Sequence, residues 1–214
     1  MTDARQDQPR PVFSLRTIGP EPSGATPLDP EDLEGLIPDF MATRADLNVV
    51  EFENIAKALP RALQQARTLK SEGVLAYRFM MDLHRRMFGD VWAWAETPRQ
   101  REANIGVVPR LIPSQSMQTL DDAKYWHANR VFEPDDLAAR IHCRLVSVHP
   151  FVNGNGRCTR LMADLYLASI GASPFTWGGA DLDVDGSGRA EYIAALVKAV
   201  GTDNYEDLMQ FARA

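Results

Sequence analysis

The chain is predicted to be all-α, a bundle of helices carrying one small β-hairpin. Three observations carry that expectation. Apolar residues recur at helical spacing through most windows from residue 30 onward. Helix starts and stops, such as Thr43 with Asp46, Pro134 and Gly89, punctuate those windows. Only residues 102–112 alternate in the manner of a strand.

Residues 1–28 contain Pro9, Pro11, Pro20, Pro22 and Pro27 with few large apolar groups, the pattern of an extended or disordered leader. Val12, Phe13 and Leu15 offer it a small anchor. The folded domain is expected over residues 29–214. Thr43 can cap an orphan amide while Asp46 faces the positive helix end, so a helix starts there. It runs through Leu47, Val50, Phe52, Ile55 and Leu59, and Pro60 breaks or restarts it. A second helix, over residues 74–87, aligns Leu75, Phe79, Leu83 and Met87 on one face, with Gly89 as its stop. Residues 102–112 hold β-branched Ile105, Val107 and Val108 around Gly106, which predicts the hairpin. Further helices are expected over 116–129, 134–148, 157–170 and 187–200, and a last one near 205–212.

At 214 residues the chain can bury a sizeable core, and 45% hydrophobic with 24% charged residues is the balance of an ordinary globular protein. A net charge of -6 argues against direct nucleic-acid binding, where a basic surface supplies most of the affinity. No run approaches the roughly 18 to 20 apolar residues of a membrane span, and the first fifteen residues lack a secretory core, so cytoplasmic residence is expected. Cys143 and Cys158 lack metal-ligand spacing and are read as reduced core residues. His84, His127 and His142 fall on helices without ligand spacing and are read as core or surface groups. Asp181, Asp183, Asp185 and Gly186 open like a calcium loop, but its twelfth position would be Tyr192 instead of a glutamate, so calcium is discounted.

The segment His149 to Arg160, HPFVNGNGRCTR, carries the chemistry. An apolar helix with Leu137, Ile141, Leu145 and Val148 ends near His149-Pro150, and a new helix begins at or just before Arg157. Between them, Gly154 and Gly156 let backbone N–H groups turn inward without a Cβ in the way, forming an anion nest around Asn155. The following helix adds unpaired N–H groups and the positive end of its dipole. Arg157 and Arg160, three apart, project from one face of its first turn. Fixed positive charge converging on a nest suits a polyphosphate. His149, at the entrance, can take a proton near neutral pH. A glycine-rich helix start with a satisfied histidine and solvated arginines would be the plain alternative for a lone GxG; here the residue types occur together in one string.

That string closely resembles the motif HPFx(D/E)GNGRxxR of the Fic (Fido) family, and LHRRMFGDVWAWAETPRQREANIGV, from Leu83 to Val107, is similar to the family's segment leading into its flap hairpin. The resemblance covers about residues 30–214 and is closest to the group called "mobile mystery protein B". It implies a Fic-type helical bundle with a hairpin flap, acting as an adenylyltransferase with ATP and Mg²⁺. His149 would be the general base for a Tyr, Ser or Thr hydroxyl of a protein target. Phe151 would anchor the loop, Gly154, Asn155 and Gly156 would cradle the phosphates, and Arg157 and Arg160 would hold the β- and γ-phosphates. The flap near residues 105–108 would align the target by strand addition. A helix-turn-helix partner protein is a further implication, whereas the oligomeric state is left open.

Two departures matter. Asn153 stands in the slot of the acidic Mg²⁺ ligand. Its amide oxygen can ligate a cation without the negative charge a hard ion favours, so either metal binds weakly and transfer is slow, or the chemistry or nucleotide differs. The family's inhibitory helix, (S/T)xxxE(G/N), has its counterpart in VVEFENI within residues 44–58, where Glu53-Asn54 fits but Val49 fills the Ser/Thr slot. Glu53 is therefore expected either to pair with Arg160 or to lie solvated on an amphipathic helix; Glu206, four residues after Thr202, is a weaker competitor. GNGR in place of GNKR at residues 154–157 disfavours phosphate transfer. A weakly catalytic regulatory or toxin-like module acting through a partner is the rival reading.

Overall fold

The computed structural model describes residues 30–38, 44–179, 182 and 186–214. The expected leader over 1–28, the Thr43 cap, and Asp181, Asp183 and Asp185 lie outside the described residues. Within them the regular elements are eight α-helices: α1 Pro30–Leu33, α2 Arg44–Val74, α3 Tyr77–Phe88, α4 Ile112–Asn129, α5 Pro134–Val148, α6 Asn155–Ser169, α7 Ser187–Thr202 and α8 Glu206–Arg213, with short 3-10 turns between them. No helix among the described residues is long and apolar enough to cross a membrane.

The centre of the bundle is the antiparallel pair α5 and α6, with α2 and α3 packed on one side, α4 against α5, and α7 with α8 closing the other side. Pro134 opens α5 at the position where its missing N–H costs nothing, and Asp135 and Asp136 complement the dipole of the first turn. Leu137, Ile141 and Leu145 from α5 meet a core that includes Met162, Leu165 and Tyr166 from α6, all at most 1% exposed. Each such side chain contributes about 1.5–3 kcal/mol by leaving water, so this pair is the rigid platform for the loop between them.

Two expectations about α2 fail. The helix runs through Pro60 and departs from helical geometry only at Lys70, where φ is 59° and ψ is -177°. Pro60 sits on the exposed side, and the buried residues on either side of it keep the helical course despite one lost hydrogen bond. The buried stripe is Leu47, Glu51, Asn54, Ala58, Ala62 and Ala66. Phe52, read from the sequence as part of the inner face, is 70% exposed. The inner face of α2 is thus narrow and partly polar.

The expected hairpin is also absent. Residues 102–108 form no strand and lead into a single 3-10 turn, Pro109–Leu111. Their polar groups are satisfied differently. Arg99 donates from Nη1 to the Arg101 carbonyl at 2.8 Å and from Nη2 to the Val107 carbonyl, and the Val107 N–H donates to the Val148 carbonyl at 3.2 Å. A guanidinium occupies the place of a partner strand. An isolated bridge between Pro98 and Phe151 ties the same segment to the motif loop.

Candidate active site

α5 terminates at His149, whose backbone enters the left-handed region at φ 55°, ψ 62° while its N–H still reaches the Leu145 carbonyl at 3.2 Å. Arg99 fixes this corner. Its Nε donates to the His149 carbonyl at 2.7 Å and its own backbone N–H to the Pro150 carbonyl at 2.9 Å. The His149 side chain is buried, and burial first, then the neighbouring Arg99 charge, push its pKa down to about 4, against the opposing hydrogen bond to the Val146 backbone. At neutral pH the ring is uncharged, the form that accepts a proton.

The loop that follows is braced from inside. Phe151 is fully buried, its N–H donates to Asn155 Oδ1 at 2.8 Å, and Asn155 Nδ2 returns a bond to the Phe151 carbonyl at 2.8 Å. The side chain of Asn155 therefore clasps the turn, with both ends of its amide spent on the Phe151 backbone. Gly154 starts α6 at φ 78°, and a Cβ there would lie 2.5 Å from the Phe88 ring. Its N–H is taken by Asn153 Oδ1 at 2.7 Å.

His84 supports the loop from α3. Its Nδ1 accepts the Glu96 N–H at 3.1 Å, which places the ring proton on Nε2, and Nε2 donates to the Asn153 carbonyl at 3.0 Å. The ring stacks on Phe151 at a centroid distance of 3.6 Å. Burial, the dominant cause, lowers its pKa to about 3, so the imidazole stays neutral.

The two arginines have different surroundings. Arg157 Nη1 donates to Glu51 Oε2 at 2.7 Å, and its guanidinium lies 5.0 Å from the Phe88 ring centroid. Arg160 lies over the ring of Tyr192 at 5.5 Å. Behind Arg160 runs a buried chain. Tyr192 OH is 2.9 Å from His142 Nε2, His142 Nδ1 is 3.0 Å from Thr159 Oγ1, and that hydroxyl donates to the Asn155 carbonyl at 2.8 Å. With Thr159 spending its proton on Asn155, His142 donates from Nδ1 and accepts the Tyr192 proton at Nε2. Burial, then Arg160, hold its pKa near 3.

Glu51 is the site's buried carboxylate, with no exposed surface. Besides Arg157 it accepts from Trp92 Nε1 at 2.6 Å and from Asn153 Nδ2 at 3.2 Å. Glu53 and Glu206 are exposed on the outside of α2 and at the first turn of α8. Of the two alternatives for Glu53, pairing with Arg160 or lying solvated, the structure has the exposed one, because the inner stripe of α2 passes through residues 47, 51 and 54; it is Glu51 that pairs, with Arg157. The aromatic pair stacks, with Trp92 and Trp94 centroids 4.7 Å apart, and its polar ends hold Glu51 and the Asp32 carbonyl.

These residues do not fit a protein-held Mg²⁺. Both ends of the Asn153 amide are engaged, Nδ2 with Glu51 and Oδ1 with Gly154, and Glu51 itself is spent on three protein donors. Among the described residues no group of three or more His, Cys, Asp or Glu converges as a metal site. The structure places His149, Gly154, Gly156, Arg157 and Arg160 around the α5–α6 turn; Arg99, His84 and Glu51, which also contact this turn, are not signalled by residue types and spacing.

Residues 74–167 match the Fic/DOC family. The protein adenylyltransferase fic-1 of Caenorhabditis elegans is 33% identical over 138 residues, 63% of this chain and 25% of that protein. The protein adenylyltransferase Fic of Nematostella vectensis is 29% identical over 100 residues, 44% of this chain and 23% of the relative. The chain thus spans about a quarter of the length of these curated relatives. A Fic domain containing signaling protein from Bacteroides thetaiotaomicron shares the fold with a TM-score of 0.60 at 21% identity, covering 76% of this chain and 65% of that one. The solved Fic-1 of C. elegans gives 0.57 at 27% identity, over 75% of this chain and 46% of that one.

Proposed function

We propose, from the match of residues 74–167 to the Fic/DOC family and the likeness to protein adenylyltransferases, that this chain transfers AMP from ATP to a hydroxyl group of a protein substrate. The observation that carries the reading is the juxtaposition of a neutral, buried His149 with the start of α6, where Arg157 and Arg160 flank a glycine-bearing turn. The first N–H groups of a helix lack intrahelical partners, and here those of Asn155, Gly156 and Arg157 follow the turn. They and the two guanidiniums supply fixed positive charge to the nucleotide phosphates, which is most of what such a transfer asks of a protein.

The hydroxyl oxygen of the substrate side chain attacks the α-phosphorus. Its proton passes to the His149 imidazole, the bond from the α-phosphorus to the bridging oxygen breaks, and pyrophosphate leaves. Residues 102–108, held against the motif by Arg99, border the entrance to His149 and offer backbone groups to a target segment. No step is assigned to a protein-held cation, since Asn153 and Glu51 are both spent on protein partners; Mg²⁺ would enter on the nucleotide phosphates. With Arg157 paired to Glu51, the resting protein is restrained, and nucleotide phosphates must compete for that arginine.

Intact mass after incubation with ATP and Mg²⁺ tests the reading, with a gain of one AMP expected on the protein or its target. Label from α-³²P-ATP but not γ-³²P-ATP should be incorporated and lost in His149→Ala; label from the γ position would establish phosphate transfer instead. The Glu51–Arg157 pair also suits a restrained module acting through a partner such as a helix-turn-helix protein, and tight nucleotide binding without covalent label would favour that.

A further inference from the structure

The asparagine at position 153 and the buried Glu51 form one device. Glu51 Oε1 accepts from Asn153 Nδ2 at 3.2 Å and from Trp92 Nε1 at 2.6 Å, while Oε2 accepts from Arg157 at 2.7 Å. The other end of the same Asn153 amide takes the Gly154 N–H at 2.7 Å, and the Asn153 carbonyl is held by His84 at 3.0 Å. A carboxamide can donate at one end and accept at the other; a carboxylate only accepts. An Asp or Glu at this position would lose the bond to Glu51 and set two negative groups against each other in a buried site, where such repulsion is little screened.

We propose that Asn153 is a positioning residue for Glu51 and not a cation ligand, and that with Trp92 it latches the Glu51 carboxylate onto Arg157. The proposal rests on the nucleotide-site reading above and deepens it: the missing acidic side chain is what allows the buried carboxylate on α2 to stay engaged. Asn153 and Trp92 hold Oε1 so that Oε2 faces Arg157, and Asn153 cannot turn without disturbing the Gly154 amide at the start of α6.

The test is a double-mutant cycle of Asn153→Asp and Glu51→Gln, read by binding of a non-hydrolysable ATP analogue in EDTA and again with Mg²⁺. Asn153→Asp alone is expected to tighten binding about tenfold, because Glu51 is driven off Arg157. In the Glu51→Gln background that gain should disappear. A change in affinity that occurs only when Mg²⁺ is present, and by the same factor in both backgrounds, would overturn the proposal and restore Asn153 as a cation ligand. Asn153→Ala, which removes the donor without adding charge, should tighten binding in the same direction by a smaller factor, and covers the case in which Asn153→Asp does not fold. The Trp92 indole N–H resonance, identified by its loss in Trp92→Phe, should shift in Asn153→Ala and in Glu51→Gln; an unmoved signal also overturns the latch. If no variant binds the analogue, the nucleotide reading falls, and the indole signal still decides whether Asn153 positions Glu51.

Discussion

Arg99 donates from Nε to the carbonyl oxygen of His149 at 2.7 Å, fifty residues away in sequence, and thereby sets the backbone of His149. The same guanidinium also serves the carbonyls of Arg101 and Val107, so residues 101–107 and the His149 corner share a single anchor. Arg99→Ala removes the donor from three carbonyls, that of His149 buried and those of Arg101 and Val107 partly buried, at about 1–3 kcal/mol for each one left without a partner. Tm should fall by roughly 5–10 °C for a chain of this size. Transfer should fall by about 100-fold, since a base displaced by an ångström loses that much. Arg99→Lys keeps charge but not the fork, and should recover little of either loss. Normal transfer in Arg99→Ala at a temperature where it is folded would remove Arg99 from the positioning of His149.

His84 offers a second test. With Nδ1 accepting from Glu96, the Nε2–H tautomer is the one that can hold the Asn153 carbonyl. Nitrogen chemical shifts should report a single neutral tautomer protonated at Nε2 throughout the neutral range. His84→Phe preserves stacking on Phe151 but loses the donor, and should weaken nucleotide binding more than it lowers Tm. Equal affinity in His84→Phe and wild type would reduce His84 to a packing residue.

Acid should destabilise this fold early. His84 and His142 are held near 3 and His149 near 4 in the folded state, all below the ordinary value of 6.5. The unfolded chain binds those protons as pH falls through about 6.5, while the folded chain does not until about pH 4 or lower, so the stability they permit is present above that window and lost within it. Burial pushes Asp164 up to about 6, which makes the folded state bind one proton early and offsets one of the three histidines. A net two protons corresponds to roughly 3 kcal/mol per pH unit between about pH 6 and 4.5. Denaturant midpoints measured across that range should fall steeply; a flat profile would mean that the histidines are not buried neutral.

The motif and most helices were legible because they are written locally. Residue types and spacing in HPFVNGNGRCTR put a histidine, two glycines and two cations on one loop-to-helix turn, and apolar periodicity places α3, α5 and α6. What escaped depends on distant partners. A buried Arg99 has the same letter as a solvated arginine, and its role appears only when residues 98–107 fold back onto 148–151. Glu51 escaped because large apolar side chains drew the inner face of α2 toward Phe52. The stripe of Ala58, Ala62 and Ala66, continued backward in phase to Asn54 and Glu51, was the signal available for the true face. β-branched residues at 105, 107 and 108 suggested a strand, but a strand needs a neighbour with open backbone groups, and an arginine took that place.

Gly154 combines two constraints that mutation can separate. Its φ of 78° costs any L-residue about 1–2 kcal/mol, and a Cβ there would stand 2.5 Å from the Phe88 ring, closer than atoms tolerate. Phe88 is 1% exposed and cannot swing away without opening the core beneath Arg157. Gly154→Ala should therefore cost more than strain alone, about 3 kcal/mol or more, and abolish nucleotide binding by pushing the nest off the first turn of α6. Phe88→Leu, itself destabilising, should relieve the steric part in the double variant while the backbone part persists. A double-mutant cycle by denaturant unfolding should show a favourable coupling of at least about 1 kcal/mol. Strict additivity would mean that the two groups do not press on each other, and that Gly154 is required for its backbone angle alone.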